Sequence, residues 1–207
     1  LSGLVGSEMC IRDSSWIERV AALVDIPFCV AGGIHDVASA RAVLAAGADK
    51  VSVNSRALAR PQLINELADA FGSQAVVVGV DSRAGVGDDW FVYQFTGSAA
   101  TMRSTDRRTL DWVREAQERG AGEVVLNCMD RDGVRQGYDI PQLKAVRQEL
   151  DIPLIASGGA GAPEHFAQVF AEADVDGALA AGAFHSGELT VGGVKNFLRR
   201  CGVEVRL

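Results

Sequence analysis

Short apolar runs alternate with amphipathic stretches from residue 15 onward, and this alternation predicts parallel strands joined by crossover helices. Val, Ile, Leu and Ala fill consecutive positions of each run, so we expect each strand to be buried on both faces. The predicted strands are 27–30, 50–53, 75–80, 123–127, 153–156 and 177–180. Asp139 is predicted to cap one of the helices between them, and Gly47, Gly72 and Gly120 to end three others.

An internal repeat organises these elements. The segment DIPFCVAGGI from Asp25 recurs as DIPLIASGGA from Asp151, an offset of 126 residues (151 minus 25), and the strands that follow also correspond. One offset spans four strand–helix units of about 30 residues, so a fully duplicated chain would have eight units, the number in a TIM barrel. The predicted fold class is therefore α/β, a (β/α)₈ TIM barrel with a half-barrel repeat that has six parallel strands and lacks its first two β/α units.

Residues 1–14 do not follow this pattern. The stretch LSGLVGSEMCIRDS has no initiator Met and lacks the basic start and long apolar run of a signal peptide. Part of it, VGSEMCIRDS, resembles translated sequencing-adapter read-through, so we expect a foreign segment here; the alternative is an ordinary disordered tail. Residues 15–207 are expected to form the partial barrel domain.

Composition excludes several function classes. Twenty basic and 27 acidic side chains give a net charge of −7, which disfavours nucleic acid as a partner. No apolar run approaches the roughly 20 residues that a membrane helix needs. The four cysteines are far apart and form no C-x-x-C pair, and no His cluster has ligand spacing, so we expect no metal, no cofactor and a cytoplasmic location.

Small residues follow the last two predicted strands, where barrels of this class bind phosphate. Gly158 and Gly159 let backbone N–H groups approach a phosphate oxygen without a Cβ in the way, and a helix begins close by. Ala181 and Gly182 offer the same after the next strand. These residues predict a phosphate site at this end of the barrel.

The repeat predicts a second phosphate site after the first two strands. Gly32 and Gly33 supply the turn, and the side chains of Asn54 and Ser55 add hydrogen-bond donors. A substrate with a phosphate at each end would bridge the two sites. The alternative is that these glycines only make tight turns.

Acidic residues follow two of the central strands. Asp81 stands where the apolar run VVVGV stops, so we expect its carboxylate at the rim of the barrel as the candidate acid or base. The alternative is that it caps the next turn. Asp132 and Gly133 are expected to order the loop beside the Gly159 phosphate site or to donate a backbone N–H there, and Asp130 to act as a cap or to be solvated.

Charged residues at the opposite ends of the strands predict structural ion pairs. Asp49 and Lys50 open one strand, and Glu123 opens another. The histidines are isolated in the sequence, and for each of them a surface or structurally satisfied role is favoured over catalysis.

Several motifs in residues 15–207 carry a family resemblance: AGGIHD, GADKVSVNS, FGSQAVVVGVD, RGAGEVVLN, DRDGVRQGYD, ASGGAG and GVEVRL. Together they resemble the cyclase subunit of imidazole glycerol phosphate synthase, from histidine biosynthesis. The resemblance implies a barrel that receives ammonia from a glutaminase subunit docked on its bottom. Such a barrel closes an imidazole ring on a bis-phosphorylated ribulosyl aminoimidazole carboxamide, giving imidazole glycerol phosphate and an aminoimidazole carboxamide ribotide.

The resemblance also implies roles for individual residues. One phosphate would meet Gly33, Asn54 and Ser55, and the other Asp132, Gly133, Gly159, Ala181 and Gly182. Gly182 replaces a family Ser and so lacks a hydroxyl donor, which we expect to weaken binding by about 1 kcal/mol. Asp81 matches one of two aspartates that share acid and base work, and its counterpart would lie on the missing first strand.

Other matched positions lie away from the phosphate sites. Lys50 and Glu123 match members of a charged ring that gates ammonia entry, and Asp49 resembles a contact to the glutaminase. Residues 90–97 would form a mobile hairpin that folds over the substrate.

Two other functions remain open. The first is the sister phosphoribosyl isomerase of the same pathway, and the second is a non-catalytic fragment that binds phosphate or docks a glutaminase. We expect the 207-residue chain to be inactive alone, because a barrel without two strands has open sheet edges and lacks one catalytic aspartate.

Overall fold

The computed structural model of the protein describes residues 15–87, 89–98 and 100–206. Residues 1–14 lie outside the described residues, so a foreign or disordered segment there remains a prediction.

One sheet contains every described strand, and its six parallel strands confirm the partial (β/α)₈ barrel. In chain order the strands are β1 (Cys29–Ala31), β2 (Lys50–Val53), β3 (Val76–Ala84), β4 (Trp90–Gln94), β5 (Arg103–Arg108), β6 (Glu123–Cys128), β7 (Leu154–Ser157) and β8 (Gly177–Leu179). The parallel strands pair in the order β1-β2-β3-β6-β7-β8. Within the described residues, β1 and β8 are the two edges of this parallel set.

Helices follow the parallel strands as predicted. They are α1 (Ser15–Ala21), α2 (Val37–Ala45), α3 (Ser55–Ala59), α4 (Gln62–Phe71), α5 (Thr109–Glu118), α6 (Ile140–Arg147), α7 (Pro163–Ala173), α8 (Gly182–His185) and α9 (Val191–Arg200). Asp139 caps α6 by accepting the Gln142 N–H at 3.1 Å. Gly47, Gly72 and Gly120 follow helices at φ of 106°, 83° and 103°. Of the described helices, none has both the length and the apolar character needed to cross a membrane.

The two faces of the parallel sheet differ in burial. On β6, Val124 and Leu126 point to the helices and are fully buried, whereas Glu123, Val125 and Asn127 are half-buried and line a cavity on the other face. The expectation of burial on both faces therefore holds for β3, where Val76, Val77 and Val78 are all buried, but in β2, β6 and β7 it holds only for the helix-covered face. The concave face of these three strands is half-exposed because, among the described residues, it surrounds an open cavity instead of a packed interior.

The sequence repeat is also a repeat of hydrogen bonds. Asp49 Oδ2 accepts the backbone N–H of Phe28 at 2.8 Å, and its own N–H donates to the Phe28 carbonyl. Asp176 makes the same two contacts with Leu154, at 2.9 Å each. These pairs fasten the starts of β1–β2 and of β7–β8 in equivalent ways, so the two halves of the described barrel share local architecture as well as sequence.

A three-stranded antiparallel extension rises from β3. The strand was predicted to end at residue 80 but continues to Ala84 and pairs with β4, which pairs with β5. The hairpin expected over residues 90–97 is thus present as β4 and the turn that follows it. The sequence did not predict β5, because its residues RSTDRR are all polar and show no apolar alternation. Contacts such as Thr105 Oγ1 donating to the Val92 carbonyl at 2.6 Å hold it in place.

Candidate active site

The carboxyl ends of the parallel strands open into one cavity of about 1020 Å³. Its lining contains most of the residues singled out from the sequence: Gly33, Asn54, Ser55, Asp81, Glu123, Asp132, Gly133, Gly159, Ala181 and Gly182. Asp49 and Lys50 are not part of this lining. The two glycine turns and the Asp81 carboxylate therefore face a common space.

The glycines of both diglycine turns have positive φ. Gly32 and Gly33 have φ of 92° and 68°, and Gly158 and Gly159 have φ of 92° and 109°. A Cβ on Gly159 would lie 2.1 Å from the Gly137 carbonyl oxygen, so only glycine fits there. This geometry is required for the turns with or without an anion, so the phosphate role stays a prediction.

Asp81 lies near the end of β3 and is only 8% exposed. Asn54 Nδ2 donates to its Oδ2 at 2.7 Å, and the Thr96 hydroxyl donates to the same oxygen at 2.5 Å. Asn127 Nδ2 donates to Oδ1 at 2.8 Å. A carboxylate offers about four acceptor sites, so three donors fix its orientation and leave about one site for a proton.

Ser55, at the start of α3, contacts the hairpin. Its hydroxyl oxygen accepts the Phe95 N–H at 2.8 Å, and its carbonyl accepts from Gln94 Nε2 at 3.2 Å. The neighbouring residue Asn54 holds Asp81. The end of the hairpin therefore contacts both the predicted phosphate site and, through Thr96, the carboxylate.

Asn127 and Thr96 contact Asp81 but were not predicted from the sequence. Asn127 stands opposite Asp81 in the parallel register of β3 and β6. Its signal in the sequence is a polar residue two positions after Val125 on the concave face of β6. Thr96 has no comparable signal, because it reaches Asp81 only once the hairpin has folded back over the strand ends.

The loop after β6 packs on the second glycine turn. The Gly137 N–H donates to the Gly159 carbonyl at 2.8 Å, and the Tyr138 hydroxyl donates to the Leu179 carbonyl at 3.1 Å. Asp132 and Gly133, at the exposed start of this loop, line the cavity.

Asp130 and His165 have structural contacts. Asp130 accepts the Ala84 N–H at 2.9 Å and pairs with Arg83 Nε at 2.9 Å, so it fastens the base of the hairpin. His165 Nδ1 accepts the N–H groups of Gly161 and Ala162 at 3.1 and 3.2 Å, at the start of α7. The contacts of His165 agree with the satisfied role expected from the sequence, whereas Asp130 contacts the distant strand β3 instead of capping its own turn.

A charged pair lies at the amino ends of the strands. Lys50 Nζ is 2.6 Å from Glu123 Oε2, which joins β2 to β6 beneath β3. Cys29 lies beside them on β1, and its desolvated surroundings and the Glu123 carboxylate raise the pKa of its thiol to about 11, although Lys50 opposes the shift. Asp49 is exposed and holds the Phe28 N–H.

Replacing Thr96 tests the contact between the hairpin and Asp81. Thr96→Val removes the hydroxyl and keeps the side-chain shape, so we expect the hairpin end to loosen, because a hydrogen bond to a charged group contributes about 1.5–3 kcal/mol. Amide hydrogen exchange at Phe95 should accelerate about tenfold or more. Thr96→Ser keeps the hydroxyl and should exchange like the wild type. Equal exchange in the wild type and the Val variant would show that the hydroxyl does not hold the hairpin.

Replacing Glu123 tests the charged pair through Cys29. Glu123→Gln removes a carboxylate that raises the thiol pKa, so more thiolate forms and Cys29 should alkylate faster at pH about 8. Lys50→Gln removes the opposing charge and should slow the reaction. Iodoacetamide labelling followed by mass spectrometry measures both rates, with Glu172→Gln as a remote control. If Cys29 alkylated equally faster in both variants, the cause would be a greater exposure of the thiol and not the change in neighbouring charge.

Comparison with known proteins gives a family and close relatives. The family described as "Histidine biosynthesis protein" matches residues 6–190. The imidazole glycerol phosphate synthase subunit HisF of Xanthomonas oryzae pv. oryzae (strain MAFF 311018) is 63% identical over 194 residues, which cover 94% of this chain and 75% of that protein. Proteins of the same name from Xanthomonas campestris pv. campestris (strain 8004) and Stenotrophomonas maltophilia (strain K279a) are 62% and 61% identical with the same coverage.

Proposed function

The chain belongs to the histidine biosynthesis family, and from this premise we propose that it is a cyclase subunit of imidazole glycerol phosphate synthase. In this function it uses ammonia to convert a bis-phosphorylated ribulosyl aminoimidazole carboxamide into imidazole glycerol phosphate and an aminoimidazole carboxamide ribotide. The relatives named above, at 61 to 63% identity, support the assignment. Its free cysteines among the described residues and its biosynthetic role favour a location in the cytoplasm.

One observation in the structure carries the proposal. Two glycine turns related by the internal repeat line a single cavity, and the buried carboxylate of Asp81 lines it too, on the central strand β3. A substrate with a phosphate at each end would span the two turns. Its middle, where the ring closes, would then lie next to Asp81.

The turns bind the substrate in this proposal. Gly33, Asn54 and Ser55 receive one phosphate. The other phosphate is received by Asp132, Gly133, Gly159, Ala181 and Gly182. The glycines support this role because a residue without a Cβ lets a phosphate oxygen come close to its backbone N–H.

Asp81 moves a proton in this proposal. Ammonia that becomes a ring nitrogen must lose protons, and the group that leaves the closing ring must gain one. A carboxylate held by Asn54, Thr96 and Asn127 keeps one fixed direction, so its remaining acceptor site can face the reacting atoms. The hairpin turn at Thr96 lies over the same place and would shield it from water.

The amino ends of the strands receive the ammonia. Lys50 and Glu123 form an ion pair at this end, and the cavity extends down to Glu123. We propose that this pair belongs to the ammonia gate and that Asp49, exposed beside it, contacts a glutaminase subunit. The contact between Asp49 and Phe28 gives the carboxylate a fixed position for such a partner.

The sister isomerase is the alternative enzyme. It would also use two phosphate sites but requires neither ammonia nor a glutaminase. The names of the relatives favour the cyclase. Capture of the 207-residue chain by an immobilised glutaminase subunit, lost in Asp49→Lys, would separate the two functions.

Calorimetry with the bis-phosphate substrate tests the proposal directly. We expect the 207-residue chain to bind the substrate but to show no ammonia-dependent turnover. Two aspartates are expected to share the acid and base work, and within the described residues Asp81 is the one buried carboxylate at the carboxyl ends of the parallel strands. Absence of binding would contradict the proposed function. Turnover comparable to that of a full-length relative would contradict the expected inactivity.

The substitution Asp81→Asn tests the proton-transfer role. It is made at the equivalent position of an active, full-length relative. The substitution keeps the side-chain size, replaces one acceptor oxygen by an NH₂ donor and removes the base, so we expect kcat to fall by a factor of about 10² or more. Substrate Kd should change little because the phosphates bind elsewhere. A large rise in Kd with normal kcat would assign Asp81 to binding instead.

A further inference from the structure

The loop after β6 places an arginine at the second glycine turn. The Gly137 N–H donates to the Gly159 carbonyl at 2.8 Å, and a Cβ on Gly161 would lie 2.5 Å from the Arg135 carbonyl oxygen. The loop is therefore in close backbone contact with the segment after β7. Arg135 itself has a φ of 61°, a left-handed conformation that non-glycine residues rarely adopt. The packed loop holds the residue in this unfavourable conformation.

The Arg135 side chain reaches the cavity. Arg135 is one of its lining residues, and its Nη2 lies 4.0 Å from the position that a Cβ on Gly182 would take. The guanidinium therefore stands beside Gly182 at the second turn. Among the described lining residues the arginines are Arg135 and Arg56, and Arg56 directly follows Ser55 of the first phosphate site. Each predicted phosphate site thus has one arginine next to it.

Glu188 occupies one side of this guanidinium. Both of its carboxylate oxygens accept from Arg135 Nη1, at 2.7 and 2.8 Å. The arginine keeps the pKa of the Glu188 carboxyl below its ordinary value. The two side chains are 42% and 53% exposed, so the pair is a solvated one of the kind that contributes little to stability. An anion that binds at the turn can displace such a carboxylate at small cost.

A phosphate is the stronger partner for this guanidinium. A phosphate dianion carries more charge than a carboxylate and offers three oxygens, which match the planar fork of arginine. The glycine turn adds backbone N–H groups on the other side. A carboxylate from a neighbouring loop brings no such additional contacts.

We propose that Arg135 is the cation of the second phosphate site and that Glu188 holds its guanidinium until the substrate phosphate replaces it. The proposal rests on the function proposed above and adds to it a binding residue and an exchange of ion pairs.

A titration with inorganic phosphate, followed by amide NMR shifts on the 207-residue chain, tests this exchange. The Gly159 and Gly182 amides report the second site, and the Gly33 amide reports the first as an internal reference. Glu188→Gln should tighten phosphate binding at the second site about two- to fivefold, because a solvated competitor is removed. Arg135→Ala should weaken binding there about tenfold or more.

Glu66→Gln is the matched control. Glu66 forms a similar exposed pair with Arg60, away from the cavity, so its removal should change neither site. Phosphate binding at Gly159 that is as tight in Arg135→Ala as in the wild type would overturn the proposal. Equal affinities in Glu188→Gln and Glu66→Gln would overturn the exchange. Should Arg135→Ala fail to fold, Glu188→Gln still decides, since its side chain is exposed.

The same titration separates this inference from the proposed function. If the wild type binds the bis-phosphate substrate but neither variant alters binding at Gly159, only the role of Arg135 and Glu188 is wrong. If the wild type binds neither inorganic phosphate nor the substrate, the proposed function itself is wrong.

Discussion

The parallel register between β3 and β6 is the constraint on which the site depends. It sets Asp81 opposite Asn127 and, on the same face, Val77 opposite Glu123. Because side chains alternate along a strand, this register puts the carboxylate and the amide on the concave face near one end and Glu123 at the other. A shift of one residue would turn Asp81 toward the helices, where a carboxylate would be desolvated without its three donors.

The internal repeat explains why the cavity has two similar ends. Pairing of Cys29 with Lys50 and of Ile155 with Gly177 places the two glycine turns at equivalent heights above their strands. Equivalent aspartates, Asp49 and Asp176, fasten the strand starts. The halves differ in what covers the turns. The hairpin after β3 contacts Ser55 of the first predicted phosphate site, whereas the loop after β6 packs on the second glycine turn.

This difference gives the two ends different chemistry. At the first turn, hydroxyl and amide groups link the phosphate site directly to Asp81, so binding there and the orientation of the carboxylate share contacts. The second turn lies beside the solvated ion pair of Arg135 and Glu188. In the proposed function the Arg135 guanidinium exchanges the Glu188 carboxylate for the substrate phosphate. A symmetric fold can thus hold an asymmetric substrate, with the reacting centre fixed more closely from one side than from the other.

The sequence by itself indicated the parallel strands, the repeat and the place of Asp81 at the end of a strand. Buried strands carry continuous apolar runs, glycines mark positive φ, and Asp81 ends such a run, so each of these is a local signal. Tertiary structure alone decided the contacts of Thr96 and Arg135, because both residues lie in loops whose direction depends on packing against distant backbone. It also decided strand β5, whose polar residues pair only because β4 offers a free edge. The half-exposed concave face was likewise invisible in the sequence, since an apolar run does not reveal whether its second face meets other side chains or an open cavity.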